Sequence, residues 1–295
     1  MYKILLLNRV AYLVLLIGLV VTFIAFSLER NNVYEKQQSK FNYQVSQSVL
    51  LVQTRIDTYR EILQAGAALF SAMGNVSRKD WQTFVDELDI VHEFPGIQGL
   101  GYTEFIEPEK LEEHIQRIRA EGFPNYTVRP EGQRAQYSSI IYLEPFNERN
   151  QRAFGYDMFS ESTRREAMVR AAETGKPAIT RKVRLLQENS VDEQAGFLMY
   201  MPVYDKSMPV SSRVSTTEHI KGYVYAPFRM KDLMRGVFGD QYAQMSLEIY
   251  DGVKSPENLM LAVHHNDQHD EGLSLEVPPR SCVTSSLKRI KRLSW

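Results

Sequence analysis

Four carboxylates sit close together beside a short apolar run, and they raise the first chemical question. Glu144, Glu148, Asp157 and Glu161 follow the run Ser139 to Tyr142. Two such groups can act as acid and base. No nucleophile motif, glycine-rich phosphate loop or metal-ligand spacing accompanies them, so no catalytic residue is assigned. His264, His265 and His269 cluster near Asp267 and Asp270, but H-H-x-x-x-H in a polar loop has no zinc signature. No metal and no cofactor is expected. The single cysteine, Cys282, excludes an intramolecular disulfide. The net charge of -1 points to no polyanionic partner, and no nucleic-acid role is expected.

Binding fits the residue types better than catalysis. A small-molecule pocket needs an apolar lining and a few placed polar groups. Tyr142, Phe146, Ile179, Leu185, Leu186, Met199 and Tyr200 can line one, with Glu144 and Thr180 as polar handles. The candidate ligand-binding set is Glu144, Thr180, Tyr142, Phe146, Leu186 and Tyr200.

The elements that must position this set read in order. Ser139 to Tyr142 is a strand that ends at Pro145, which cannot donate to a ladder. Gly155-Tyr156-Asp157 is a turn, with Asp157 bracing it. Ser160 or Ser162 caps a helix to about Glu173, with Ala167, Met168, Ala171 and Ala172 on one side. Gly175 closes it and Pro177 prevents its continuation. Ile179 to Leu185 and Phe197 to Val203 are strands. Upstream, Ser77 to Asp80 has the form of a capping box before Trp81, Phe84, Val85 and Leu88. Ile97 to Phe105 and Tyr126 to Arg129 read as strands, with a helix from Glu109 to about Ala120 between them. Downstream, Lys221 to Phe228 is a strand, Met230 to Phe238 a helix, and Ser246 to Tyr250 pairs with Leu259 to Val263 across the Asp251-Gly252 turn. Short strands and irregularly placed helices predict an α+β fold rather than a doubly wound sheet.

Four short motifs occur in order here: Gly155-Tyr156-Asp157-Met158, then R-x-A-x-x-x-A-x-x-T-G-K-P-x-x-T from Arg165 to Thr180, then Arg184-Leu185-Leu186, then Met201-Pro202-Val203-Tyr204. Together they resemble the CHASE family, the sensory extracellular domain associated with cyclases and histidine kinases. The resemblance covers roughly Gln82 to Phe228. It implies a ligand-sensing domain outside the cytoplasmic membrane, built as a long stalk helix carrying two PAS-like subdomains. Thr180 matches the threonine that closes the pocket in the family's cytokinin receptors, and Glu144 is the nearest match to their acidic ligand contact. Adenine-like cytokinins, other metabolites and short peptides all remain open as ligands.

The amino end supplies the membrane signal. Val10 to Leu28 carries no charge and is just long enough to cross about 30 Å of hydrocarbon. Lys3 and Arg9 precede it, which favours a cytoplasmic amino end. A cleaved signal peptide is the rival reading, since Ala25-Phe26-Ser27 resembles a cleavage site. Phe41, Val45, Val49, Val52, Ile56, Tyr59, Leu63 and Phe70 then recur at helical spacing. The stripe packs either on its own domain or, nearest the membrane, against a second copy.

The expected organisation is therefore a cytoplasmic 1–9, a membrane helix 10–28, a stalk 29–75, a membrane-distal ligand-binding subdomain 76–210, a membrane-proximal subdomain 211–280 and a basic tail 281–295. The expected partners are an unidentified small molecule, the lipid bilayer of the inner membrane and a second copy of the chain. CHASE proteins usually continue into a second membrane helix and an output enzyme, and neither is expected in this sequence. The alternative is a ligand-independent, membrane-tethered dimerisation module.

Overall fold

A computed structural model describes residues 2–188, 192–205, 219–264 and 273–277. The chain divides into two compact units, Met1–Leu51 and Val52–Trp295. Helix α1 (Tyr2–Met73) contributes residues to both. It is long and apolar enough near its amino end to cross a membrane, and Leu13, Leu16, Val20 and Ile24 there are exposed. It stops where expected: Gly74 takes a positive φ, and its N–H bonds back to the Phe70 carbonyl.

Within the second unit, α2 (Arg78–Glu87) opens with the expected capping box between Ser77 and Asp80. There follow α3 (Ile90–Glu93), β1 (Leu100–Ile106), α4 (Leu111–Ala120), β2 (Tyr137–Glu144), α5 (Glu148–Gln151), α6 (Ser162–Thr174), β3 (Ala178–Ile179), β4 (Gly196–Tyr204), β5 (Ile220–Arg229) and α7 (Met230–Phe238). The strands β2-β1-β5-β4-β3 form one sheet in that order, antiparallel throughout. A second sheet of β6 (Leu247–Asp251), β7 (Leu259–Val263) and β8 (Leu273–Val277) has the order β7-β6-β8. The fold is thus mixed helix and sheet.

The five-stranded sheet carries a core on each face. One is filled by Tyr59, Leu63 and Phe70 of α1, by Trp81 of α2 and by Leu233 and Phe238 of α7. The other is filled by Ala167, Met168, Ala171 and Ala172 of α6, by Met158, and by Tyr200, Tyr223 and Tyr225.

Several expected boundaries shift for physical reasons. The strand expected from Ile179 to Leu185 shortens to Ala178–Ile179, because the Lys182 N–H turns away to the Asp251 carboxylate at 2.7 Å. Val183 rejoins β4 only as a single bridge to Gly196. Over Tyr126 to Arg129 the backbone forms just a bridge from Arg129 to Tyr156. The cap of α6 is Glu161 rather than a serine; its carboxylate accepts the Thr163 and Arg164 N–H groups. A division between 210 and 211 falls inside the connection from β4 to β5. Those strands pair from Gly196 with Arg229 to Tyr204 with Ile220, so β5 completes the first sheet. Residues 206–218, the histidine cluster from His265 and the tail 281–295 lie outside the described residues.

Candidate ligand-binding face

The six expected residues separate into two groups. Thr180, Leu186 and Tyr200 gather beside the α6 core. Tyr142, Glu144 and Phe146 do not join them. The cause is a bulge in β2. Tyr102 pairs with Tyr142 but Thr103 pairs with Ile140, which leaves Ile141 as an extra residue. Strict alternation would put Tyr142 on the face of Ile140; the bulge moves it to the α1 side.

On that side Tyr142 is fixed. Its hydroxyl donates to the Val76 carbonyl at 2.9 Å, and its ring lies 6.0 Å from Tyr102 and 6.5 Å from Trp81. Phe146 meets Phe123 and Phe154 edge-on. The Arg78 guanidinium lies 4.4 Å over Phe123 and donates to the Ile141 carbonyl. The Glu144 carboxylate turns back to accept the Phe146 N–H at 2.9 Å. Burial raises its pKa, against the pull of that N–H bond. This corner is a closed structural joint.

The α6 face is built differently. Small residues at Ala167, Ala171 and Ala172 let the helix approach the sheet closely. The turn before it is locked by Gly155, whose φ is +80° and where an added Cβ would lie 2.4 Å from the Thr127 carbonyl oxygen. One oxygen of Asp157 accepts the Ser138 and Phe159 N–H groups, so this side chain braces the turn as expected. Burial is the larger influence on its carboxyl and raises the pKa despite those bonds. The Glu161 carboxyl is also pulled up by burial, but the Thr163 and Arg164 N–H bonds carry it below its ordinary value.

Thr180 extends the pairing of β3 by one residue. Its N–H donates to the Leu198 carbonyl at 2.8 Å, and its Oγ1 accepts the Leu198 N–H at 3.0 Å. Two residues on, Lys182 reaches the second sheet. Its N–H bonds Asp251, and its Nζ donates to the Glu257 carbonyl at 2.8 Å. The segment that holds Thr180 is therefore tied directly to the element beyond.

Tyr200 is fully buried, with Tyr225 at 6.1 Å and Tyr223 at 6.2 Å between ring centroids. Among the described residues its hydroxyl meets the Met158 sulfur alone, at 3.3 Å. Arg164 is buried beside them: Nη2 donates to the Arg184 carbonyl, Nη1 reaches Glu161 at 3.3 Å, and the guanidinium lies 5.4 Å from the Tyr156 ring centroid. Burial drives the Tyr200 and Tyr225 phenols well above their ordinary pKa, so both stay protonated. An open depression of about 470 Å³ lies between this region and β7, lined by Lys182, Arg184, Glu193, Gln194 and Met260 among others. It contains none of the six expected residues.

Arg164, Tyr225 and Met158 were not in the expected set. The signals existed. Arg164 precedes Ala167, Met168 and Ala171 by helical spacings and so shares their face. Tyr223 and Tyr225 alternate with Val224 and Ala226, so both tyrosines share one face of β5.

The CHASE domain family model matches residues 74–261, more than half of the chain. Among solved structures, the ligand-binding domain of the Pseudomonas aeruginosa amino-acid chemoreceptor PctC, in complex with GABA, is 9% identical with a TM-score of 0.42, covering 75% of this chain and 73% of that one. An extracellular ligand-binding receptor from Desulfohalobium retbaense is 12% identical with a TM-score of 0.39; the match covers 73% of this chain but only 32% of the receptor. The periplasmic sensory domain of the Campylobacter jejuni chemoreceptor Tlp1 is 9% identical with a TM-score of 0.37, covering 68% and 63% respectively. At TM-scores below 0.5 these likenesses carry no argument about ligand or mechanism.

Proposed function

This chain belongs to the CHASE domain family, and on that premise we propose that it is a membrane-anchored, extracytoplasmic sensor that binds a small molecule on the α6 face of its five-stranded sheet. CHASE is a sensory family, and the apolar amino end of α1 fits a membrane anchor. One observation carries the choice of face. Tyr200 and Leu186 belong to the core on that face, Thr180 bonds Leu198 of the same core, and the segment bearing Thr180 is bonded through Lys182 to the second sheet. A ligand that displaces Thr180 must therefore also pull on Asp251 and Glu257.

In this reading the first sheet, with its helices, is the membrane-distal PAS-like subdomain, and the second sheet belongs to the membrane-proximal one. The stalk pairs with that of a second copy, with the amino end in the cytoplasm of a single-span inner-membrane protein. Signalling is a population shift, so the ligand must bind one arrangement better than the other. The output would be an enzyme that this chain regulates rather than contains. Tyr142, Glu144 and Phe146 then act as scaffold.

The test is a thermal-shift screen of the detergent-solubilised full chain against a metabolite library that includes adenine derivatives and short peptides. A compound that binds only the folded state raises the melting temperature. The expected hit loses its effect in Thr180→Val, while Lys182→Ala still binds it. A hit indifferent to Thr180 removes the α6 face from consideration. The close packing of Tyr200 and Tyr225 favours a second reading, a ligand-independent dimerisation module. A stable dimer with no hit from a broad library would establish it.

A further inference from the structure

Buried polar groups in folded proteins are nearly always hydrogen-bonded, and each exception calls for a cause. On the α6 face the exceptions are neighbours. The Tyr225 hydroxyl is buried with no hydrogen-bond partner among the described residues, and so is Arg164 Nε. The Tyr200 hydroxyl, one ring away, has among the described residues only the Met158 sulfur, a weak acceptor. All three are donors: a protonated guanidinium N–H and two neutral phenols. What the cluster lacks is an acceptor.

The acceptors beside Arg164 are already committed. The Glu161 carboxylate holds the Thr163 and Arg164 N–H groups and touches the Arg164 side chain only at 3.3 Å. The Arg184 carbonyl takes Arg164 Nη2. One Asp157 oxygen takes Ser138 and Phe159; the other is buried with no hydrogen-bond partner among the described residues and faces Arg134 at 3.6 Å, not the two phenols. An unmade hydrogen bond to a buried donor costs that donor's desolvation, more for a charged one. Two such donors, with a third held by a weak sulfur acceptor, are a standing cost on one side of an alanine-lined helix that an acceptor from outside would remove.

We infer that the small molecule taken by the α6 face carries a carboxylate, held by the Arg164 Nε–H and the Tyr225 O–H, with the Tyr200 O–H released to it from Met158. The inference rests on that face being the ligand face. It names the chemical class of the ligand and makes Arg164 and Tyr225 its specificity residues. A carboxylate suits the cluster because each oxygen accepts more than one bond, and charge-assisted bonds are about twice as strong as neutral ones. Met158 is the movable part. Its unbranched side chain adapts easily, and moving it breaks only a weak contact to sulfur.

The experiment compares small carboxylic acids with their primary amides on the full chain in detergent: acetate with acetamide, benzoate with benzamide, glutarate with glutaramide. An amide keeps the shape and removes the charge. At least one acid is expected to raise Tm, with its amide weaker by about tenfold or more, since losing a hydrogen bond to a charged group costs about 1.5–3 kcal/mol. Tyr225→Phe removes one hydroxyl and no packing. It is expected to weaken the acid by about tenfold while leaving the ligand-free Tm unchanged or higher, because the hydroxyl it deletes has no partner among the described residues. Arg164→Gln also removes bonds to Glu161 and Arg184, so Tyr225→Phe is the deciding variant.

Equal binding of acid and amide overturns the inference, as does acid binding that survives Tyr225→Phe. A ligand-free Tm that falls by several degrees in Tyr225→Phe also overturns it, because the hydroxyl then has a structural partner. If neutral compounds bind in a Thr180-dependent way and no acid does, the carboxylate falls and the α6 face stands. If nothing in either screen binds, both fall.

Discussion

The two faces of the five-stranded sheet are both rich in aromatic residues, yet they treat their polar atoms in opposite ways. On the α1 face the Tyr126 hydroxyl meets His114 Nε2 and Ser139 Oγ, and four more such groups end on backbone carbonyls. Tyr59 donates to Pro95, Tyr102 to Lys221, Tyr142 to Val76, and Trp81 Nε1 to Leu100. On the α6 face Tyr204 does the same with Ala172, but Tyr200 finds a sulfur and Tyr225 nothing among the described residues. The helices differ as well. Large side chains from α1 and α2 interlock with the first face, whereas α6 meets the second through three alanines and a methionine. The phenol and indole groups of the first face gain nothing by rearranging, although Arg78 Nε there is as unpartnered among the described residues as Arg164 Nε is on the second. The phenols of the second face do gain by it, and that asymmetry is what a sensor requires of one side of its sheet.

The largest effect that would break this comparison comes from emptying each core in turn. Trp81→Ala removes a fully buried ring and its bond to Leu100, and is expected to cost about 3–5 kcal/mol. Met158→Ala on the other face is expected at the lower end of the methionine range, about 2 kcal/mol, since the polar contact it gives up is a weak one to sulfur. Denaturant unfolding of the full chain measures both. Equal losses would mean that the α6 face is packed as rigidly as the other.

A finer comparison uses the same atom change on each side. Tyr142→Phe strands the buried Val76 carbonyl and is expected to cost about 1–2 kcal/mol. Tyr225→Phe strands nothing and is expected to cost nothing without ligand. If the two substitutions destabilise alike, the hydroxyls of the two faces are not different in kind.

Local signals made much of this legible in the sequence. The Ser77–Asp80 capping box, the stop at Gly74, the close of α6 at Gly175 and the limits of α7 at Met230 and Phe238 all stand in the structure, because each is decided within a few residues. Features decided across the sheet were not legible. The Ile141 bulge moves Tyr142 to the opposite face from Tyr200, and no pattern within β2 announces it. The early end of β3 depends on Asp251, far along the chain. Glu161 takes the cap that two serines were equally able to supply, since its carboxylate reaches two N–H groups at once. The same reason divides the proposed site: residue types single out Thr180 and Tyr200, but partnership, which singles out Arg164 and Tyr225, exists only in three dimensions.

The smallest expected effect concerns Glu144, which serves the corner of β2 and neither face. Its carboxyl is held up by burial, opposed by the Phe146 N–H. A carboxyl raised in the folded state binds its proton more tightly there than in the unfolded chain. Its charge therefore costs stability at neutral pH, and that cost disappears as pH falls through the raised value toward the unfolded value of about 4.3. Glu144→Gln keeps an oxygen for the Phe146 N–H and removes the charge. The variant is expected to be a few tenths of a kcal/mol more stable than the parent at pH 7, as for a modest change at one partly compensated site. The gap should narrow as pH falls through the raised value and close at or below the unfolded value, read from urea midpoints at each pH. A variant less stable than the parent at pH 7, with a gap that pH does not change, would mean that the carboxylate is favourably paired. Glu144 would then return as a candidate for the charged end of a ligand site, and the division between a scaffold corner and a sensing face would fail at that residue.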